Sequence, residues 1–493
     1  MSTQELAQKG GPPPKGHPKG LYVLFFAEAW ERFSYYGMRA LLVLYLVNQL
    51  EFAREDALAI YATYTGLVYL TPMFGGLLAD RYLGSRKSVI IGGAVMALGH
   101  LAMAFEPLLY VALGLLIVGN GFFKPNISTI VGGLYEEGDP RRDGGFTIFY
   151  MGINLGAFFS PLVCGSLGEN IGWHYGFSAA GVGMVIGLIV FMLGQKLLGK
   201  AGYPPDMNNP PPGTKLRGKD WMHIAGWIGA SVVIVYGSLF AWDFVGPMVD
   251  AIPAGVKLGI GVLLVLGTVG GLLGSSAKDG TEAWQRTAVI IILAIFVIFF
   301  WMGFEQAGGT MTLFADEQTD RHLGGWEIPA SWFQSINPLA IVALAPVFSV
   351  FWLKLDQSRF ALSTPAKMAI GMIILGLGFV VMFIAQGIAE RTGSVGPWWL
   401  AMVYLIHTIG ELCLSPIGLS MVTKLSVPRM VSLMMGVWFV SSAVANYLAG
   451  RLEELVAHYD LPVFAFLIAS SIGAGLLLLL LTPLLKKWMH GKG

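Results

Sequence analysis

Apolar segments of about 20 residues, the length that carries a helix across a bilayer, recur along this chain from end to end. Their approximate spans are 21–48, 57–79, 88–105, 108–133, 145–167, 175–198, 220–243, 254–275, 287–315, 330–354, 365–389, 397–425, 430–451 and 460–485, fourteen in all. In lipid every backbone N–H and C=O must find its partner internally, so a series of this length predicts a bundle of transmembrane helices. The shortage of charge agrees: 12% of the 493 residues are charged, against roughly a quarter in soluble domains. A net charge of +1 argues against a nucleic-acid partner, which calls for a strong basic excess. The chain reads as an all-α polytopic membrane protein.

Lysine and arginine set the orientation. With the N-terminus in the cytoplasm, the loops on that side collect 23 of the 31 basic residues, and the opposite side receives Arg54, Lys257, Arg321, Arg391 and Arg451. The remaining three, Arg32, Arg39 and Lys124, lie within spans. Such asymmetry places both termini in the cytoplasm. The opening "MSTQELAQKGGPPPKGHPKG" lacks the apolar core and cleavage site of a signal peptide. Residues 1–20 are therefore expected to remain as a cytoplasmic arm. A Pro-rich polar stretch, "GKAGYPPDMNNPPPGTKLRGK", interrupts the series. The expected organisation is six helices over 21–198, a linker with two inserted helices over 199–286, six helices over 287–485, and a tail over 486–493. Two six-helix halves around a shared central site is a carrier arrangement. Cys164 and Cys413 have neither metal-site nor disulfide spacing and read as small core residues.

The loop "GGLLADRYLGSRK" between the second and third spans resembles the gate loop of the major facilitator superfamily, as Gly76-x-x-x-Asp80-Arg81-x-x-Gly84-x-Arg86-Lys87. A tight turn with an acid and several basic side chains can pair with the opposite half in one conformation and release it in another. Asp80, Arg81, Arg86 and Lys87 are the expected gate residues. The plainer alternative is a solvated turn obeying the positive-inside rule.

The first span, "AEAWERFSYYGMRALLVLYL", contains Glu28, Glu31, Arg32 and Arg39. At about 100° per residue, Glu28, Glu31, Arg32, Tyr35 and Arg39 form one stripe. An unpaired charge in the bilayer costs about 2.5–3.5 kcal/mol on insertion scales, so the stripe must face a wet or protein-lined interior. Lys124, Glu305 and Glu411 complete the intramembrane set, which holds one more anion than cations. A carboxylate whose cationic partner is withdrawn can neutralise itself by taking a proton. The same set offers acid to an amine and base to a carboxylate. Together these demands describe a proton-coupled carrier of something like a short peptide. A structural ion-pair cluster is the alternative.

Glu28-x-x-Glu31-Arg32-Phe33-x-Tyr35-Tyr36-Gly37 resembles the E-x-x-E-R-F-x-Y-Y-G motif of the proton-dependent oligopeptide transporters, a family within the major facilitator superfamily. "FTIFYMGINLGAF" resembles that family's F-Y-x-x-I-N-x-G signature, as Phe149-Tyr150-x-x-Ile153-Asn154-x-Gly156, and "GELCLSPIGLS" resembles its motif around Glu411. The resemblance spans nearly the whole chain, and two additional central helices are typical of its prokaryotic members. It implies a major facilitator fold of fourteen helices in the bacterial inner membrane, working as a monomer. It also implies a division of labour. Glu28, Glu31, Arg32, Lys124 and Glu305 would couple protons. Arg39 and Lys124 would hold the peptide carboxylate, and Glu411 its amino terminus. Tyr36, Tyr69, Asn154, Trp301, Asn337, Trp438 and Ser442 would line pockets for peptide bonds and side chains, with core packing as the alternative for each. The coupling ion would be the proton, with no other cofactor. A helix-2 histidine found in animal members is missing here. His100 and His407 read as hydrogen-bonded interior residues.

The expected function is thus proton-coupled import of di- and tripeptides by alternating access. The runner-up is a carrier of nitrate or another small metabolite. An enzyme is disfavoured, since no H-E-x-x-H, G-x-S-x-G or nucleophile beside a base occurs in the spans.

Overall fold

The computed structural model describes residues 16–136, 139–203, 222, 226, 229, 254–359 and 361–491. Most of the 1–20 arm, the 204–219 part of the linker and nearly all of the expected 220–243 span lie outside the described residues. The rest is helical, apart from turns and one two-stranded hairpin.

In chain order the first helices are α1 (Lys19–Leu44), α2 (Arg54–Leu70), α3 (Pro72–Leu78) and α4 (Ser85–Ala102). They continue with α5 (Leu109–Gly133), α6 (Arg142–Ser160), α7 (Ser166–Asn170) and α8 (Trp173–Gly194). After the linker come α9 (Ala254–Ala277), α10 (Thr281–Phe304), α11 (Thr310–Glu317) and α12 (Ile336–Asp356). The last four are α13 (Thr364–Thr392), α14 (Pro397–Leu425), α15 (Val431–Ala457) and α16 (Val463–Trp488).

Local chemistry explains the breaks. Pro72 opens α3, where its missing N–H costs nothing, so the stretch from Arg54 to Leu78 is two helices in tandem. Gly84 precedes α4 at φ 75°, a conformation that favours glycine. Glu55 and Asp56 stand in the first turn of α2, where carboxylates complement the helix dipole. The strands β1 (His322–Leu323) and β2 (Trp326–Glu327) pair antiparallel across Gly324 and Gly325 at φ 59° and 88°, the two positive values that a tight hairpin turn requires.

Ten stretches among the described residues are long and apolar enough to cross a membrane. The 26-residue α1 is not one of them. It would reach about 39 Å, and its five charges, four of them from Glu28 to Arg39, account for the exclusion.

The chain divides into two compact units, residues 1–45 with 70–237, and residues 46–69 with 238–493. In the first unit α1 packs along α6 and α8, and α4 along α5 and α8. In the second, α10 packs along α15 and α16, and α13 along α14 and α16. Counted by spans, six from α1 to α8 (α2 with α3 and α6 with α7 as one each) and six from α10 to α16 (α10 with α11 as one), the first meets the fifth and sixth in both sets, and the third meets the fourth and sixth. Residues 46–69, most of α2, group with the second unit. Glycine permits this: a Cβ at Gly450 would stand 2.6 Å from the Leu58 carbonyl oxygen, and one at Gly66 3.3 Å from that of Ala443, so α2 and α15 touch backbone to backbone.

Candidate functional site

In the first unit the ionisable stripe of α1 forms a buried network. Arg32 Nε lies 2.9 Å from Glu28 Oε1 and 2.7 Å from Glu31 Oε2, with all three side chains at most 3% exposed. From α5, Asn120 Nδ2 donates to Glu31 Oε1 at 3.2 Å. Lys124, one turn further along α5, is among the charges acting on Glu31. The network is incompletely satisfied. Glu28 Oε2, Arg32 Nη2 and Asn120 Oδ1 are buried without a hydrogen-bond partner among the described residues. Buried polar atoms are seldom left so, and a cluster of them marks a place where a proton, water or ligand group is accommodated.

The same helix continues the stripe. The Arg32 guanidinium sits 5.4 Å from the Tyr35 ring centroid, and that of the buried Arg39 sits 5.8 Å from Tyr36, both within cation–π range. Tight packing fixes this helix in place. Gly156 of α6 lies against the Ala29 carbonyl, in a gap that a Cβ would overfill. Behind the stripe, Ser34 and the fully buried His100 of α4 are hydrogen-bonded at 2.5 Å. Asn154 is buried and donates to Tyr150 O on its own helix at 3.0 Å.

The gate loop divides in two. Asp80 and Lys87 are exposed. Arg86 is only 6% exposed, and its guanidinium donates to the carbonyls of Ala201 at 2.6 Å, Gly199 at 2.7 Å and Gln195 at 3.3 Å. It also lies 4.1 Å from the Tyr203 ring centroid. Arg86 therefore closes the C-terminal end of α8, where carbonyls lack helical partners. The Arg81 side chain lies outside the described residues.

In the second unit Glu411 of α14 is 7% exposed, and its Oε2 accepts from Asn337 Nδ2 at 2.9 Å. Asn337, in the first turn of α12, also donates to Thr408 Oγ1 at 3.0 Å. Glu305 stands at the end of α10, where the helix tightens into a short 3-10 turn, Glu305–Gly308. That turn is held from two sides: Gln306 Nε2 donates to Ala449 O of α15 at 2.9 Å, and Tyr404 Oη of α14 to Ala307 O at 3.1 Å. Glu305 is buried, and its charge acts on Glu411. Trp301 packs edge-on against Phe304 at 5.2 Å. Trp438 lies on Gly418 of α14, and Ser442 accompanies it one turn along α15. Tyr69 is half-buried near the end of α2.

Of the nominated residues, Glu28, Glu31 and Arg32 thus meet in the first unit, and Asn337 and Glu411 in the second. Sequence reasoning missed three partners, Asn120, Thr408 and Gln306. Asn120 sits one turn before Lys124 and Thr408 three residues before Glu411, so helical spacing from an already suspected charge could have found two of them. It also missed Arg54 at the start of α2. Arg54 binds Glu453 of α15 through Nε and Nη2 at 2.7 and 2.9 Å, and Glu317 of α11 through Nη1 at 2.7 and 2.9 Å.

The chain is similar to known proteins along nearly its whole length. The chain is 40% identical, over 97% of its length and 96% of the relative's, to the "Uncharacterized transporter YclF" of Bacillus subtilis (strain 168). It is 33% identical over 96% of both chains to a "Di-/tripeptide transporter" of Lactococcus lactis subsp. cremoris. A crystal structure of the peptide transporter POT in complex with sulfate superposes with a TM-score of 0.81 at 35% identity, covering 100% of both chains. The POT family model matches residues 86–211 and 263–466, and the chain belongs to that family.

Proposed function

We propose that this protein is a proton-coupled symporter that imports di- and tripeptides by alternating access. The observation that carries the coupling is the α1 network: two carboxylates share one guanidinium in an otherwise apolar helix, with buried atoms on both sides of the pair lacking partners. Taking a proton on one carboxylate removes a charge from a site that solvates charge poorly. That frees part of Arg32 for another anion.

The peptide reading draws on relatives named as peptide transporters and on the chemistry of the two clusters. Arg39 and Lys124 are suited to a carboxylate. Glu411, oriented by Asn337, is suited to an ammonium. Tyr36, Tyr69, Asn154, Trp301, Trp438 and Ser442 supply contact and hydrogen bonds without fixing one side-chain shape. The six-plus-two-plus-six arrangement of fourteen helices is supported by the repeated pairing scheme of the units, and cytoplasmic termini by the basic loops. Asp80 and Lys87 serve as the exposed charges of the cytoplasmic gate, with Arg86 as its fixed base. The protein works as a monomer in the bacterial inner membrane.

The test is uptake by purified protein in liposomes. An acidic exterior should make labelled Ala-Ala accumulate, and unlabelled Ala-Ala should compete while nitrate should not. Equal uptake with and without the gradient would refute the coupling, and competition by nitrate alone would refute the peptide reading.

A further inference from the structure

Where α1 begins and α8 stops, the first unit carries a basic seam that none of the roles assigned above uses. Val23 of α1 packs on Gly194 of α8, and Trp30 on Gly187. One turn before Val23, a Cβ at Gly20 would stand 2.7 Å from Leu197 O. The start of α1 therefore lies against Gln195–Leu198, the 3-10 turn that follows α8. Arg86 ties the same stretch from α4, through the carbonyls of Gln195, Gly199 and Ala201. The backbone from 195 to 201 is thus held by two helices.

The side chains on this fixed frame are open to their surroundings. Lys19, Lys196 and Lys200 are exposed, and none of them makes an ion pair among the described residues. No acidic residue occurs in 16–23 or 193–203 to neutralise them. Large apolar groups accompany them: Leu193 is 81% exposed, and Leu197 and Phe26 are each 51% exposed. Phe26 lies seven residues after Lys19, two turns along the same face of α1. Leu193 and Leu197 bracket Lys196 at the end of α8. Each helix therefore sets an ammonium beside hydrocarbon at one end of its apolar run, where a lysine stem lies on apolar surface and its head reaches the headgroup layer. Three uncompensated cations attract any anion. The bare leucines and phenylalanine beside them suit an anion that brings its own hydrocarbon.

We propose that this seam binds an acidic phospholipid. Lys19, Lys196 and Lys200 hold the phosphate and headgroup, and an acyl chain lies on Leu193 and Phe26. The proposal rests on the chain spanning a membrane, and on neither the proton nor the peptide.

The experiment is native mass spectrometry of the full-length protein released from detergent micelles, titrated with phosphatidylglycerol and, separately, with phosphatidylcholine. One phosphatidylglycerol should bind more tightly than any that follows, and more tightly than phosphatidylcholine. The double variant Lys196→Gln, Lys200→Gln should weaken that first step about 25-fold, about fivefold for each lysine at an acidic headgroup. Lys196→Arg with Lys200→Arg should keep it. Leu193→Ser, at an exposed position where the fold is safe, should weaken it several-fold. Lys486→Gln with Lys487→Gln removes the same charge from the end of α16 and should leave the first step unchanged. Millimolar inorganic phosphate should not displace the lipid. Equal affinity for the two lipids, an equal loss in the α16 variant, binding unchanged in the Lys196 and Lys200 double variant, or displacement by inorganic phosphate would overturn the proposal.

Discussion

Replacing Arg32 by methionine separates a coupling network from a structural one. Methionine fills similar volume without charge or donor. In the native helix the guanidinium lies 2.9 and 2.7 Å from two carboxylates, all at most 3% exposed. At such distances, with an effective dielectric near 20, each attraction is about 6 kcal/mol gross, most of it offset by the cost of burying the ions. Removing one partner of a buried ionic group costs about 3–5 kcal/mol, because the other charges stay behind. For a chain of this size that is a fall in melting temperature of about 5 °C. The triple variant Glu28→Gln, Glu31→Gln, Arg32→Met leaves no stranded charge and should recover most of the lost stability. Acid-driven Ala-Ala uptake should nonetheless stay below a tenth of the parent rate in both variants. The assays are thermal melting in detergent and uptake in liposomes. A triple variant that transports like the parent would reduce the cluster to helix packing. A single variant with unchanged melting and uptake would remove even that.

Three further outcomes follow from the geometry. Glu305→Gln should abolish gradient-driven uptake while sparing exchange of labelled for unlabelled peptide, and survival of both activities would remove Glu305 from coupling. Arg86→Lys gives up the planar fork that reaches three carbonyls, costing about 1–3 kcal/mol; trypsin should then cut faster at Lys196 and Lys200, and unchanged digestion would contradict the clamp. At Asp139, outside the spans, hydrogen bonds from Arg141 hold the carboxyl below its ordinary value of 3.8. A depressed value contributes stability above the unfolded pKa and loses it as pH falls through the folded one. Since Arg141 also donates to Gly16 O at 2.8 Å, amide exchange at Gly16 and His17 should accelerate only below about pH 4, and Asp139→Asn should show no such step.

Legibility of the sequence depended on how far apart the partners were. The Glu28–Arg32 bridge is an i, i+4 pair, so periodicity alone brings its ends together. Spans flanked by charged loops were visible for the same reason, since each is a local property of twenty residues. Asn120 was hidden because "GNG" reads as close packing, and nothing local says that its amide faces Glu31 on another helix. The clamp made by Arg86 was hidden because its partners are carbonyls more than a hundred residues later, and backbone acceptors leave no trace in side-chain pattern. The turn after Glu305 was signalled by Gly308 and Gly309 but masked by a long apolar run. Arg54 was counted only as a loop charge, since its acids lie 263 and 399 positions away.

Glu28, Glu31 and Arg32 occupy a little more than one turn of a single helix. Tilting, sliding or rotating that helix carries all three along, so no rearrangement between helices can pull the arginine off its acids. The pairing can change only through an event at atomic scale: a hydrogen ion landing on one oxygen, a side-chain rotation, or a rival ion arriving from α5 or from cargo. Movement of this helix as a body therefore leaves the trio paired, and a change of pairing needs one of these events.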